Sequence, residues 1–283
     1  GLVRKIREQY QHPNFFVDVS DEFFNAGTDE EVNEVSPIRE YILGTDIHGT
    51  GHTVGILSNR LVPSDDKAVF DLHLIGTNYS RNVGDNRGVT LHTTGVTSLH
   101  GVKRVYMDAD GLTYGRASAW ACANTTVTSI CAKCGLVERM AWKQASKKKG
   151  QAESIASGKA RARLAARMDS EGASRLAEAA ENYQAKFRRP LLRRDAFPQM
   201  LKFSSSANSL IVRGLHSGVS QIAAPGEPPA LAGTHAIQVR MHQSAANNMT
   251  EAMFGRETLT DVSLAKLMED LTCLLYTSPS PRD

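Results

Sequence analysis

Cys131-Ala132-Lys133-Cys134 is a spacing able to do chemistry, because two thiolates three residues apart can share a zinc ion or close a disulfide. A structural zinc site needs four ligands, however, and the sequence holds no second Cys-x-x-Cys and no His pair at finger spacing downstream. A thioredoxin-like use needs the pair to open a helix after a strand, and a helix is expected to begin near Gly135. Two ordinary thiols account better for a single Cys-x-x-Cys. Cys131 and Cys134 stay as the candidate metal pair, and no cofactor is expected.

Other spacings are weaker. His48 and His52 flank Gly49-Thr50-Gly51 and would share one side of a strand, but no third ligand is near and no Lys-Ser or Lys-Thr follows the glycines as a phosphate loop requires. Asp108, Asp110 and Gly111 could open a calcium loop, yet the downstream acid is replaced by Ala119, Trp120 and Ala121, so a hairpin turn is expected. Gly-x-Ser-x-Gly and Ser-x-x-Lys do not occur between a strand and a helix, and Ser217-Gly218 beside His216 reads as a loop. Asn124-Thr125-Thr126 and Asn248-Met249-Thr250 match the N-glycosylation pattern.

The elements that must position these residues are mostly strands. Between residues 43 and 131, alternating segments rich in β-branched residues follow one another with almost no helical period. In Ala68 to Gly76, Phe70, Leu72 and Leu74 share one side, while Val69, Asp71, His73 and Ile75 share the other. Pro63-Ser64-Asp65-Asp66, Gly84 to Gly88, and Asp108 to Gly111 are turn chemistry, and such short links predict antiparallel neighbours. One strongly apolar face must be covered by a second sheet, by closure, or by helices.

Helices are expected next, in a basic arm over residues 132–195. Between Val137 and Arg194 there are 15 Lys and Arg against 6 Asp and Glu, a net of +9 in a chain of +3. A first helix is expected from Leu136 to Lys149 with Leu136, Val137, Met140 and Ala141 inward, broken at Gly150. A second is expected from Gln151 to Arg189, about 57 Å at roughly 1.5 Å per residue, stopped by Pro190. Along it Leu164, Met168, Gly172, Leu176, Ala180, Tyr183 and Phe187 form one stripe that wants a partner surface. Lys147, Lys148, Lys149, Arg161, Arg163, Arg167, Arg188, Arg189, Arg193 and Arg194 are the candidate polyanion-binding residues, weighed against an ordinary solvated face.

Residues 1–42 read as a helix, a strand from Phe15 to Val19 and a helical lead-in. Residues 196–272 read as a second, truncated α+β module with strands at Leu201–Phe203, Ser209–Leu215 and Ala236–Met241. The order around Phe15 to Asn25 echoes the order around Val239 to Asn247, a weak internal repeat. Cys273-Leu274-Leu275-Tyr276-Thr277-Ser278-Pro279-Ser280-Pro281-Arg282-Asp283 resembles a translated sequencing adapter, so residues 273–283 are read as a non-native tail. With Gly1 in place of Met, both ends are read as fragment ends. The rest of the chain resembles uncharacterised proteins of environmental bacteria, which implies no activity.

The sequence thus predicts an α+β protein. An antiparallel sheet, as a sandwich or a curved sheet, precedes long basic helices and the second module. Apolar runs are too short for a transmembrane helix. The leading functional expectation is a non-enzymatic binding or scaffold protein, with cell envelope or periplasm favoured, whose curved sheet and helices enclose an apolar groove for lipid. The alternative is polyanion, nucleic-acid or anionic-membrane binding through residues 137–194. An enzyme of unassigned class comes third.

Overall fold

A computed structural model describes residues 2–26, 29–230, 233, 235–255, 260 and 261. Within them the fold is α+β, with two antiparallel sheets and one long helix. The adapter-like tail 273–283 and the apolar positions Val262 to Leu271 lie outside the described residues.

The chain opens with α1 (Leu2–Gln9), β1 (Phe15–Ser20) and α2 (Asp21–Ala26). It then enters the large sheet through β2 (Glu30–Ile42), β3 (Thr45–Val62), β4 (Ala68–Asn86) and β5 (Val89–Asp108). β6 (Gly111–Tyr114) pairs with the last residues of β5 and β7 (Ser118–Cys131) with the rest, from Thr90 to Val102, so the sheet runs β2-β3-β4-β5 and then β6 with β7. The expected turns after Val62, Asn86 and Asp108 all fall between strands. At Asp108 the carboxylate accepts the Asp110 N–H at 3.0 Å, closing an Asx turn instead of a calcium loop.

The strands begin earlier than residue 43. Glu30–Ile42, expected as part of a helical lead-in, is an edge strand paired with β3 along its length. Its Pro37 lacks an N–H, which an edge strand tolerates. β5 has 20 residues, about 66 Å at roughly 3.3 Å each, and strands this long must curl to enclose a core. Gly55 and Gly76 stand opposite each other on β3 and β4. A Cβ on Gly55 would lie 2.5 Å from the Ile75 carbonyl oxygen and 2.8 Å from the Gly76 Cα. The two backbones close up here because neither carries a side chain on the concave face.

The concave face is covered by α3 (Gly135–Tyr183), a single helix of 49 residues and roughly 73 Å. The break expected at Gly150 does not occur, since one interior glycine costs only about 1 kcal/mol relative to alanine. Nor does the helix stop at Pro190. One π-turn (Gln184–Arg188) leads into α4 (Arg189–Arg193), placing the proline in the first turn of a new segment, where its missing N–H is tolerated. The stripe predicted from Leu164 onward is real, with Leu164, Met168 and Gly172 buried against the sheet. Met168 Sδ lies 2.2 Å from where a Cβ on Gly101 would stand, so that glycine is what lets the helix approach β5.

The small sheet joins both ends of the described chain. β8 (Met200–Ser205), β9 (Ser209–Leu215) and β10 (Ile237–Met241) assemble around β1 in the order β10-β1-β9-β8. The expected strand-then-helix echo recurs, since β10 leads into α5 (Gln243–Phe254) as β1 leads into α2. The two strands of that echo, however, pair with each other within one sheet. Asn14, just before β1, exchanges hydrogen bonds with the His216 backbone just after β9 at 2.8 and 2.9 Å. Asn248 donates to the same His216 carbonyl at 2.8 Å. Asn248 is buried there, which removes it as a glycan acceptor in the folded chain.

The sheets meet through Leu61, Ala68, Phe203 and Leu210, with Val19, Phe24, Phe70 and Met107 around them. Ser205 stitches the junction, its hydroxyl accepting the Val69 N–H at 2.9 Å and donating to the Val62 carbonyl.

Candidate functional site: a cavity between α3 and the concave sheet

From Ala141 to Ala160, the helix face turned to the sheet carries Ala141, Ala145, Ala152, Ala156 and Ala160. One turn further, Leu164 and Met168 reach the sheet and pack. The same stripe therefore makes a floor where its side chains are large and leaves a gap where they are methyl groups. The gap is a cavity of about 1110 Å³, just above the ~300–1,000 Å³ typical of ligand sites.

The sheet wall changes character along β4. Leu72 and Leu74, with Leu57 and Leu99 beside them, line the floor end. Continuing with period two, the same face then presents Asn78, Ser80 and Asn82. Asn78 Nδ2 donates to Thr53 Oγ1 at 2.8 Å, and Asn82 Nδ2 donates to Ser80 Oγ at 3.2 Å. Asn82 Oδ1 is tucked over Gly49, shielded from solvent, and has no hydrogen-bond partner among the described residues. A buried amide oxygen left unpaired costs about 1–3 kcal/mol. Sequence reading ended the strand at Gly76 and missed the three. Their alternation was the signal.

Both long edges of the sheet are closed by the helix. On the β7 side, Ser157 Oγ accepts the Ala123 N–H at 2.9 Å, and Glu153 Oε1 accepts the Thr125 N–H at 2.7 Å. On the β2 side the closure is ionic. Glu40 pairs with Lys159 and Arg163, Glu34 with Arg167 and Glu30 with Arg175. Arg175 holds the Glu30 carboxyl below its ordinary range by its hydrogen bond. Beyond the floor, buried Lys103 donates to Asp169 Oδ1 at 2.6 Å and to the Gly115 carbonyl at 3.0 Å. That Lys103 hydrogen bond, helped by the Ala117 N–H, holds the Asp169 carboxyl below its usual range.

The ten cations singled out from sequence do not form one surface. Arg163 and Arg167 belong to the β2 seam, Arg188 pairs with Asp110, Arg189 with Glu181, and Lys149 with Glu153 at 3.6 Å. Lys147, Lys148, Arg161, Arg193 and Arg194 are exposed. Lys148 and Lys149 also stand on the cavity rim. Leu136, Val137 and Met140, expected to face inward, are exposed, and of that group only Ala141 reaches the cavity.

Cys131 and Cys134 are exposed free thiols at the junction of β7 and α3. His48 and His52 are exposed on one face of β3, as their spacing predicts. His52 Nε2 meets Asn33 Oδ1 at 2.7 Å, and His48 lies 3.4 Å from Asp46. Among the described residues no group of three or more His, Cys, Asp or Glu is placed to hold a metal. No described helix is long and apolar enough to cross a membrane.

The sequence matches no protein-family model and no curated protein. Among solved structures it is similar to the crystal structure of lipopolysaccharide binding protein, with a TM-score of 0.29 and 12% sequence identity. The match covers 80% of this chain, which spans 55% of that one, and likeness at this level carries no argument about ligand or activity.

Proposed function

We propose that this chain is a non-enzymatic binding protein that holds an amphipathic lipid between α3 and the concave sheet. The observation that carries the reading is the alanine stripe from Ala141 to Ala160, which leaves a cavity of about 1110 Å³ between helix and sheet, continuous with the leucine-lined floor end, instead of filling it. A purely apolar ligand would meet the amide and hydroxyl side chains of Asn78, Ser80 and Asn82 at the other end. A lipid with acyl chains toward Leu72, Leu74 and Leu164, and a hydroxyl or amide donor near Asn82, satisfies both zones. A cell-envelope setting suits such a ligand.

Titration with a fluorescent phospholipid at low and high salt tests the reading. Apolar burial predicts an affinity that survives salt, because the hydrophobic term is not screened. Affinity that collapses with salt, and is indifferent to a tryptophan placed at Ala156, would assign the binding to surface charge instead.

A further inference from the structure

We propose that the projecting end of α3 is a docking surface for an anionic lipid bilayer. The hydrogen bonds Ala123 to Ser157 and Thr125 to Glu153 fix how strand and helix run past each other. Two residues of strand answer four of helix, as rises of about 3.3 and 1.5 Å require. Extending that register, the last residue of β7, Cys131, falls level with about residue 140 of α3. The first turn and a half of the helix therefore stands beyond the sheet.

That projecting end is apolar where it should be polar. Leu136 is 69% exposed and Met140 66%, with Val137 and Trp142 also exposed. A solitary exposed leucine needs no explanation, but Leu136, Val137 and Met140 fall within about 100° of one another around the helix and make a patch, with Trp142 on the far side. Immediately behind it comes charge: Ala132 to Lys149 carries Lys133, Arg139, Lys143 and the Lys147 to Lys149 run against the single carboxylate of Glu138. Lys143 and Lys147 fall on the same helical face as Leu136 and Met140. Apolar side chains at the tip, with long cationic ones a turn or two behind, suit a bilayer interface. The first enter the acyl boundary while the second reach phosphate.

A soluble polyanion would be served by the cations alone and gives the apolar tip no role. The cavity lies on the other side of the helix, beneath Ala141 and Ala145, so docking through Leu136, Met140, Lys143 and Lys147 does not cover it. The inference does not depend on what the cavity holds.

Flotation with phosphatidylglycerol-containing vesicles, beside pure phosphatidylcholine vesicles and double-stranded DNA, tests it. The full chain is expected to float with the anionic vesicles. The pair Lys147→Gln and Lys148→Gln should weaken partitioning roughly thirtyfold, about 1 kcal/mol being contributed per cation near such a surface. The pair Leu136→Asp and Met140→Asp should abolish flotation while circular dichroism stays unchanged. Flotation undiminished in the aspartate pair overturns the proposal, as does DNA binding that equals vesicle binding and ignores the apolar tip. Lipid retained in the cavity is read separately from intact mass, so either idea can fail alone.

Discussion

The backbone N–H of Thr125 donates to Glu153 Oε1 at 2.7 Å, so a helix side chain occupies a hydrogen-bonding position on the outer edge of β7, where another strand would otherwise pair. Ser157 does the same for Ala123. The helix thus caps part of the β7 edge, and the space beneath α3 is bounded by hydrogen bonds on that side and ion pairs on the β2 side. Glu153→Ala removes one acceptor from a partly buried amide. Urea unfolding should show a loss of about 1–3 kcal/mol. Loss of the exposed Arg175 to Glu30 pair by Arg175→Ala should cost no more than about 1 kcal/mol.

Curvature rests on absent side chains. Gly76→Val would put a branched side chain against the Val54 carbonyl oxygen, which a Cβ alone already meets at 2.8 Å. Backbone cannot yield as a flexible side chain can. The variant should lose more than about 3 kcal/mol, at the severe end for a single substitution, and a denaturation midpoint equal to wild type would show that the sheet does not depend on this approach.

His73 supplies a pH signature. Burial first, and then the positive charge of Arg60, push its imidazole below the ordinary value of 6.5, against the opposing pull of Asp71. Its Nδ1 lies 3.3 Å from His100 Nε2, on a stacked ring. A base with a depressed folded pKa takes its proton more readily in the unfolded chain. Its contribution is therefore complete above pH 6.5 and is lost as pH falls below that toward the folded value. Denaturation midpoints of wild type should decline over that interval, and those of His73→Gln should decline less.

Much of this architecture is written locally. Phe70, Leu72 and Leu74 alternate because they share the inward face, and the turns after Asn86 and Asp108 fall where the chain reverses. The stripe of Leu164, Met168 and Gly172 is equally legible, since four-residue spacing has one structural meaning on a helix. What escaped depends on distance in the chain. Nothing local in Phe15–Ser20 says that its neighbours are Ser209–Leu215 and Ile237–Met241. Nothing local separates a short helix with Leu136 and Met140 inward from a long one that overruns its sheet. The cavity itself is a difference between alanine and leucine along one stripe, visible as spacing but meaningful only once the opposite wall is known.

Intact mass under native and denaturing conditions, after a high-salt wash of the purified full chain, tests the cavity most directly. Wild type should carry a lipid-sized adduct in the native spectrum that disappears on denaturation. The double variant Ala152→Trp and Ala156→Trp, folded by circular dichroism, should carry none, because two indoles on the alanine face fill the gap that lets a lipid lie beneath the helix. A bare native mass for folded wild type, or an adduct equally retained by the tryptophan variant, would contradict a lipid held between α3 and the sheet.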